Sequence, residues 1–227
     1  MNGLANIRAV TFDVGGTLIA PWPSVGHVYA EVAARAGIPN LSPERLNRKF
    51  HAAWRARTNF HHTPEEWAEI VDRTFAGLCD PSGLFPALYR RFAGAEAWRI
   101  YDDVLPLLDA LASQEVPLGL ISNWDDRLRP LLKELRLDRY FETVVISCEV
   151  AFTKPSPVIF EEAARKLGVA PERILHVGDS PREDVEGARS AGFQALLLDR
   201  NEQARSPDRI ASLKELELVP GAAHATH

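Results

Sequence analysis

"VTFDVGGTLI", residues 10–19, decides how the rest of the chain is read. Val10, Thr11 and Phe12 are β-branched or aromatic, the composition of a strand. The run stops at Asp13, and Gly15, Gly16 and Thr17 follow. An isolated carboxylate buried at a strand end is costly unless it is paired or metal-bound, so Asp13 reads as a functional group. Two consecutive glycines permit a backbone path that other residues resist, and they let main-chain groups approach a ligand closely.

Working outward, apolar runs of strand length recur late in the chain: "VPLGLIS" (116–122), "TVVIS" (143–147), "RILHVGD" (173–179) and "QALLLD" (194–199). Helical patterns separate them. Val104, Leu107, Leu108 and Leu111 fall at i, i+3, i+4 and i+7, and "SPVIFEEAARKLG" supplies Ser156 as N-cap, Pro157 at the first helical position, an apolar stripe of Phe160, Ala163, Ala164 and Leu167, and Gly168 as stop. Alternation of strand and helix predicts an α/β fold with a parallel sheet flanked by helices. The first strand is separated from its partners by about eighty residues that read as helices. Val25, Val28, Val32 and Ala36 share one face; Leu46, Phe50, Ala53 and Trp54 stripe a second helix opened by Ser42 and Pro43. A capping box from Thr63 to Glu66 starts a third carrying Trp67, Ile70, Val71, Phe75 and Leu78, and Leu84 to Phe92 forms a fourth. The expected division is a core of residues 1–19 and 97–227 with a helical insert of 20–96. The aromatics Trp54, Phe60, Trp67 and Phe75 are spaced like packing residues.

In an open parallel sheet, ligands bind beyond the carboxyl ends of the strands. The polar residues just after the apolar runs are Asp13 and Thr17, Ser122 and Asn123, and Asp179, with Asp184 one helical turn further and Lys154 in the loop before Ser156. Ser180 and Glu183 read as a capping box with Pro181 inside it, which explains helix initiation but not the two aspartates. Carboxylates gathered near Asp13 repel one another unless a cation lies between them, and Mg²⁺ favours one or two carboxylates, waters and substrate oxygens.

At this point "DVGGTL", "ISN", "KPSPVIF" and "HVGDSPREDVEGARSAG" resemble the four motifs of the haloacid dehalogenase superfamily of hydrolases, and the resemblance spans nearly the whole chain. The other family with Asp-x-Gly-Gly-Thr after a strand, the sugar-kinase and actin-like ATPases, is similar only at residues 12–17. The superfamily resemblance implies a Rossmann-like core with a type-one helical cap. It implies Asp13 as a nucleophile that forms an aspartyl phosphate, and Lys154 as partner to that nucleophile and to the phosphoryl charge. Gly16, Thr17, Ser122, Asn123 and Lys154 are implied to hold phosphate. Mg²⁺ would sit on Asp13, Asp179, Asp184 and the main-chain carbonyl of Gly15, with a small phosphorylated metabolite as substrate.

Gly15 departs from that pattern, because the superfamily's phosphatases carry there a second aspartate that protonates the leaving group and then activates water. Losing a general acid or base typically costs about 10²- to 10⁴-fold. A similar non-acidic position occurs in the type-one-capped subgroup called REG-2-like. Three readings follow: a weak phosphohydrolase suited to leaving groups that need no proton, a catalytically impaired binding or sensor protein, and a metal-independent 2-haloacid dehalogenase. The last resembles the chain less at the acidic fourth motif. His61 and His62 read as surface loop residues ahead of substitute acids, and Lys49 occupies no special environment.

Composition narrows the partners. A net charge of −5 gives no reason to propose nucleic acid or an anionic membrane. Cys79 and Cys148 match neither a disulfide framework nor a zinc pattern, and no apolar run is long enough to span a bilayer, so the expectation is a cytoplasmic monomer or homodimer. The tail "PGAAHATH" is small and polar, and its histidines read as incidental.

Overall fold

The computed structural model describes residues 6–58, 60–200, 206 and 208–216, so the tail read above lies outside the described residues. In chain order the elements are β1 (Ala9–Phe12), β2 (Ile19–Pro21), α1 (Val25–Arg35), α2 (Pro43–Arg55), α3 (Pro64–Phe75), α4 (Leu84–Arg91), β3 (Trp98–Ile100), α5 (Val104–Ser113) and β4 (Leu118–Ser122). They continue with α6 (Leu128–Glu134), β5 (Thr143–Ile146), α7 (Ser147–Val150), α8 (Pro157–Leu167), β6 (Ile174–Gly178), a π-helical turn (Pro181–Glu186), α9 (Gly187–Ser190), β7 (Gln194–Leu198) and β8 (Arg209–Ile210). Two compact units result. One comprises residues 1–18, 101–123 and 137–227, and the other 19–100 and 124–136.

The first unit holds a parallel sheet in the order β5-β4-β1-β6-β7-β8. β1 lies in its middle because all four of its residues are buried, as a strand covered on both faces requires. Phe12 pairs with Leu120 of β4 and Val177 of β6, so Asp13 emerges beside the ends of both neighbours. Here the strand order reverses direction along the sheet, the position where such folds bind ligands. Helix α8 starts at Pro157, whose missing N–H costs nothing in the first turn, and ends where Gly168 turns left-handed at φ 64°. Its Ile159, Phe160, Ala163 and Ala164 pack with Ile121 and Val145 of the sheet. Burying a phenylalanine of this kind contributes about 1.5–3 kcal/mol. Ser156 stands at the N-cap as read, yet its side chain makes no capping bond.

The second unit packs α1 to α4 around Tyr29, Val32, Leu46, Val71, Phe75, Leu84 and Leu88. Tyr29 stacks on Phe75 at 5.5 Å between ring centroids. The capping box at Thr63 and Glu66 forms as read. Ala36 does not share the buried face of α1; it is the exposed C-cap, and Tyr29 and Ala33 complete the stripe instead.

Two further features correct the expected division. Ile19–Pro21 and Trp98–Ile100 pair as an antiparallel ribbon within the helical unit, where the sequence pattern predicts helices alone. Residues 124–136 belong to that unit as well, where the expected division gives them to the core. The cause is a set of side-chain ties. Arg127 grips Asp125 at 2.8 and 2.6 Å, donates to the Tyr89 carbonyl at 3.1 Å and lies over the Tyr89 ring. The indole N–H of Trp67 donates to Asp125, and Glu134 accepts from the Ala95 N–H.

Among the described residues no helix is long and apolar enough to cross a membrane. Cys79 and Cys148 are both thiols.

Candidate active site

Asp13 is fixed at the end of β1 by its N–H, which donates to the Val177 carbonyl at 3.0 Å. Ser122 ends β4, and its hydroxyl donates to Asp13 Oδ1 at 3.1 Å. Lys154 arrives from the turn before α8, where Ser156 N–H closes on the Thr153 carbonyl. Its Nζ donates to Asp13 Oδ1 at 2.7 Å and to Asp184 Oδ1 at 2.5 Å, with the side chain almost wholly buried. Asp184 comes from the π-helical turn after β6. The Ser180 N–H donates to its Oδ2 at 2.9 Å, while Ser180 Oγ accepts from the Glu183 N–H. The reciprocal half of the expected capping box is therefore made by Asp184, and Glu183 accepts from Asn123 instead.

Asp13, Asp179 and Asp184 each offer a carboxylate oxygen within 4.8 Å of the others. Missing side chains make this convergence possible. A Cβ at Gly16, whose φ is +82°, would fall on the Asp179 carboxylate, and one at Gly178 would fall on that of Asp184.

Three carboxylates share one ammonium, and their proton affinities reflect it. Burial pushes Asp13 up, partly opposed by Lys154. Burial also acts on Asp184, but the Lys154 charge and the bonds from His176 and Lys154 outweigh it and hold the group well below the ordinary range. Asp179 is pushed up to about 8, first by desolvation and then by the charges of Asp13 and Asp184. Asp179 nonetheless keeps an exposed flank, and solvent there screens part of that repulsion. Lys154 stays charged, since the two carboxylates outweigh its desolvation. The donor set is all oxygen, electron-rich and short of positive charge, which fits a hard divalent cation such as Mg²⁺.

The remaining expected residues fall into place differently. Asn123 is engaged by protein: its Oδ1 accepts from the Lys154 N–H at 2.7 Å, and its Nδ2 donates to the Lys154 carbonyl at 3.0 Å and to Glu183 at 3.2 Å. Its side chain thus positions the lysine loop. The Thr17 hydroxyl is fully buried and has no hydrogen-bond partner among the described residues. His61 is exposed as read, but His62 is buried, packed edge-on to Phe60, Trp54 and Trp67. Trp54 and Trp67 stack on each other, so these aromatics do serve packing.

Two residues of the site escaped the sequence reading. His176, wholly buried in β6, has Nε2 3.2 Å from Asp184 Oδ1 and Nδ1 3.0 Å from the Thr11 hydroxyl. Burial lowers its pKa, so the ring is neutral, with Nε2–H donating to the carboxylate and Nδ1 accepting from Thr11. Thr11 and His176 face each other in the register of β1 and β6. A histidine interrupting an apolar strand was the signal available.

Residues 7–192 match the family of haloacid dehalogenase-like hydrolases. The chain belongs to that family. A haloacid dehalogenase-like relative, the haloacid dehalogenase-like hydrolase domain-containing protein 3 of Homo sapiens, is 31% identical over 96% of this chain and 92% of its own length. The rhythmically expressed gene 2 protein of Drosophila melanogaster is 30% identical over 90% of this chain and 87% of that one, in keeping with the REG-2-like resemblance. Among solved structures, a HAD phosphatase from Thermococcus onnurineus is 28% identical, covers 92% of this chain and 95% of its own, and superposes with a TM-score of 0.66. The parallel sheet flanked by helices is accordingly the haloacid dehalogenase fold.

Proposed function

We propose that this hydrolase is a Mg²⁺-dependent phosphohydrolase of small phosphorylated metabolites that works through an aspartyl phosphate and is slow on ordinary esters. The observation that carries this reading is the buried Lys154 ammonium shared by Asp13 and Asp184, with Asp179 completing the acid cluster. Asp13, Asp179, Asp184 and the Gly15 carbonyl would hold Mg²⁺, which when bound supplies positive charge against the phosphoryl oxygens.

The chain's own residues account for the rest. A carboxylate oxygen of Asp13 forms the new bond to phosphorus as the bond to the leaving oxygen breaks and that oxygen keeps the electron pair. Lys154 offsets the charge of nucleophile and phosphoryl group, and the Ser122 hydroxyl holds Asp13 Oδ1 in place. Water then cleaves the aspartyl phosphate. As the water oxygen bonds to phosphorus, the Asp13 O–P bond breaks, the carboxylate is regenerated and the water's proton passes to solvent or phosphate. Gly15 can neither donate a proton to the leaving group in the first half-reaction nor take one from water in the second. Acyl and aryl phosphates, whose leaving groups are stable as anions, are therefore the favoured class. The acidic net charge supports a small molecule over a nucleic acid as substrate. We place the protein in the cytoplasm as a monomer or homodimer.

The test is turnover of an aryl phosphate, expected with Mg²⁺ and abolished in Asp13→Asn. Gly15 is not among the residues with positive φ, so a side chain there meets no left-handed backbone strain. Gly15→Asp is expected to raise alkyl ester hydrolysis by about two orders of magnitude or more, the range of a restored general acid. Gly15 also favours a second reading, a metal-binding sensor without turnover. That reading requires no product from aryl phosphate together with a Mg²⁺-dependent rise in melting temperature. Metal-independent halide release from a 2-haloacid would instead identify a dehalogenase.

A further inference from the structure

The loop that carries the nucleophile contains two adjacent glycines, and such a segment loses more conformational freedom on ordering than any other pair. Something must hold it. Its start is tied by the Asp13 N–H to β6, and the Leu18 N–H closes internally on the Val14 carbonyl at 2.9 Å. The second bond holds the Thr17–Leu18 peptide by its N–H alone, and neither bond reaches the Gly16–Thr17 peptide or gives the Gly16 and Thr17 carbonyls a partner.

Those two carbonyls are taken by Arg200, which stands two residues beyond β7. Its Nη2 donates to the Thr17 carbonyl at 2.7 Å and its Nε approaches the Gly16 carbonyl at 3.4 Å. The next carbonyl, of Leu18, accepts from the Tyr101 N–H at 3.1 Å. Arg200 is itself immobilised. Asp103 accepts from Nη1 at 2.9 Å and from Nη2 at 3.1 Å, and the Tyr101 ring lies 3.7 Å from the guanidinium carbon. Asp103 is buried and accepts in addition from the Ser212 hydroxyl at 2.7 Å and the Leu213 N–H at 2.9 Å. Only a guanidinium offers enough fixed donors to serve a carboxylate and two carbonyls together; an ammonium is a point donor.

Asp103 neutralises the Arg200 charge, so the arrangement acts through geometry. Because a peptide is planar and trans, pinning the Gly16 carbonyl also sets the direction of the Thr17 N–H. Gly16 in turn abuts the Asp179 carboxylate so closely that no side chain fits between them. The position of the Gly16 peptide therefore decides where Asp179 can sit.

We propose that Arg200, braced by Asp103 and Tyr101, is a positioning residue that locks the Gly16 and Thr17 peptides and through them holds Asp179 in register with Asp13. The inference deepens the phosphohydrolase reading and rests on it for its catalytic consequence, although the lock itself does not. The experiment compares wild type, Arg200→Lys and Arg200→Ala by amide hydrogen exchange, Mg²⁺ binding and aryl phosphate kinetics. In both variants the Leu18 and Tyr101 amides are expected to exchange at least tenfold faster while amides of β4 and β6 hold. Mg²⁺ affinity falls about three- to tenfold, and kcat falls at least tenfold with KM within threefold. Methylguanidinium added to Arg200→Ala restores part of kcat. Unchanged Leu18 and Tyr101 exchange overturns the proposal, and so does an equal acceleration at every amide, which marks a purely global effect. If Arg200→Ala does not fold, Arg200→Lys decides through exchange alone. A wild type without turnover sinks the phosphohydrolase reading and leaves the exchange arm to judge the lock.

Discussion

Replacing Lys154 with methionine keeps an unbranched chain in its place and removes the ammonium, with its charge and its N–H donors. Lys154 is buried and is bonded to Asp13 and Asp184. Removing one partner of a buried ion pair typically destabilises by about 3–5 kcal/mol, because the other charge is left uncompensated. At about 2–4 °C per kcal/mol for a chain of this size, the melting temperature should fall by roughly 6–20 °C. The loss also acquires a pH dependence. In the wild type the folded-state pKa of Asp184 is depressed, so its contribution is full above the ordinary carboxylate range and is lost as pH falls below that range through the depressed folded value. Asp13 and Asp179 are already raised above their unfolded values, and without Lys154 their rise grows and Asp184 loses the charge that holds it down. The folded state then binds more protons than the unfolded one, and stability drops as pH rises. Melts of both proteins in metal-free buffer should therefore show a larger deficit at pH 8 than at pH 5, with partial recovery on adding Mg²⁺. A deficit under about 1 kcal/mol, or one equal at both pH values, would refute this account of the cluster.

Two other outcomes are expected. Since the Asp179 carboxyl is pushed up to about 8, a cation binding there must displace a proton at lower pH. Mg²⁺ affinity should climb by up to about tenfold per pH unit between roughly pH 6 and 8 and level off above, with the exposed flank of Asp179 softening the slope. Calorimetry in two buffers of different ionisation enthalpy counts the released proton, and Asp179→Asn should abolish the release. Thr63→Ala removes the capping box at the start of α3 and should cost about 1 kcal/mol, read from urea melts.

Much of this molecule was legible in its sequence because the strands of a doubly covered sheet are continuous apolar runs and their carboxyl ends carry the chemistry. The same rule points to Arg200, which follows the run at 194–198, yet a lone arginine after a strand says nothing about which carbonyls it will reach. The strands at Ile19–Pro21 and Trp98–Ile100 are too short to show a period of two, and their pairing joins residues about eighty positions apart. The attachment of residues 124–136 to the helical unit depends on Arg127 finding Tyr89 and on Trp67 finding Asp125, which is a matter of tertiary reach. Asn123 and Asp184 illustrate the finer limit. Residue type and spacing put both near the site, but whether an amide holds phosphate or a neighbouring loop depends on fractions of an ångström.

The central claim is that Asp13 attacks phosphorus while Gly15 leaves the second half-reaction without a base. Rapid mixing with an aryl phosphate and Mg²⁺, followed by acid quench and mass spectrometry, tests it directly. The account predicts a burst of about one phenolate per chain and a phosphoryl group on the peptide containing Asp13, both short-lived in Gly15→Asp. Steady release with no burst and an unmodified Asp13 peptide, or a phosphoryl group on another residue, would contradict it.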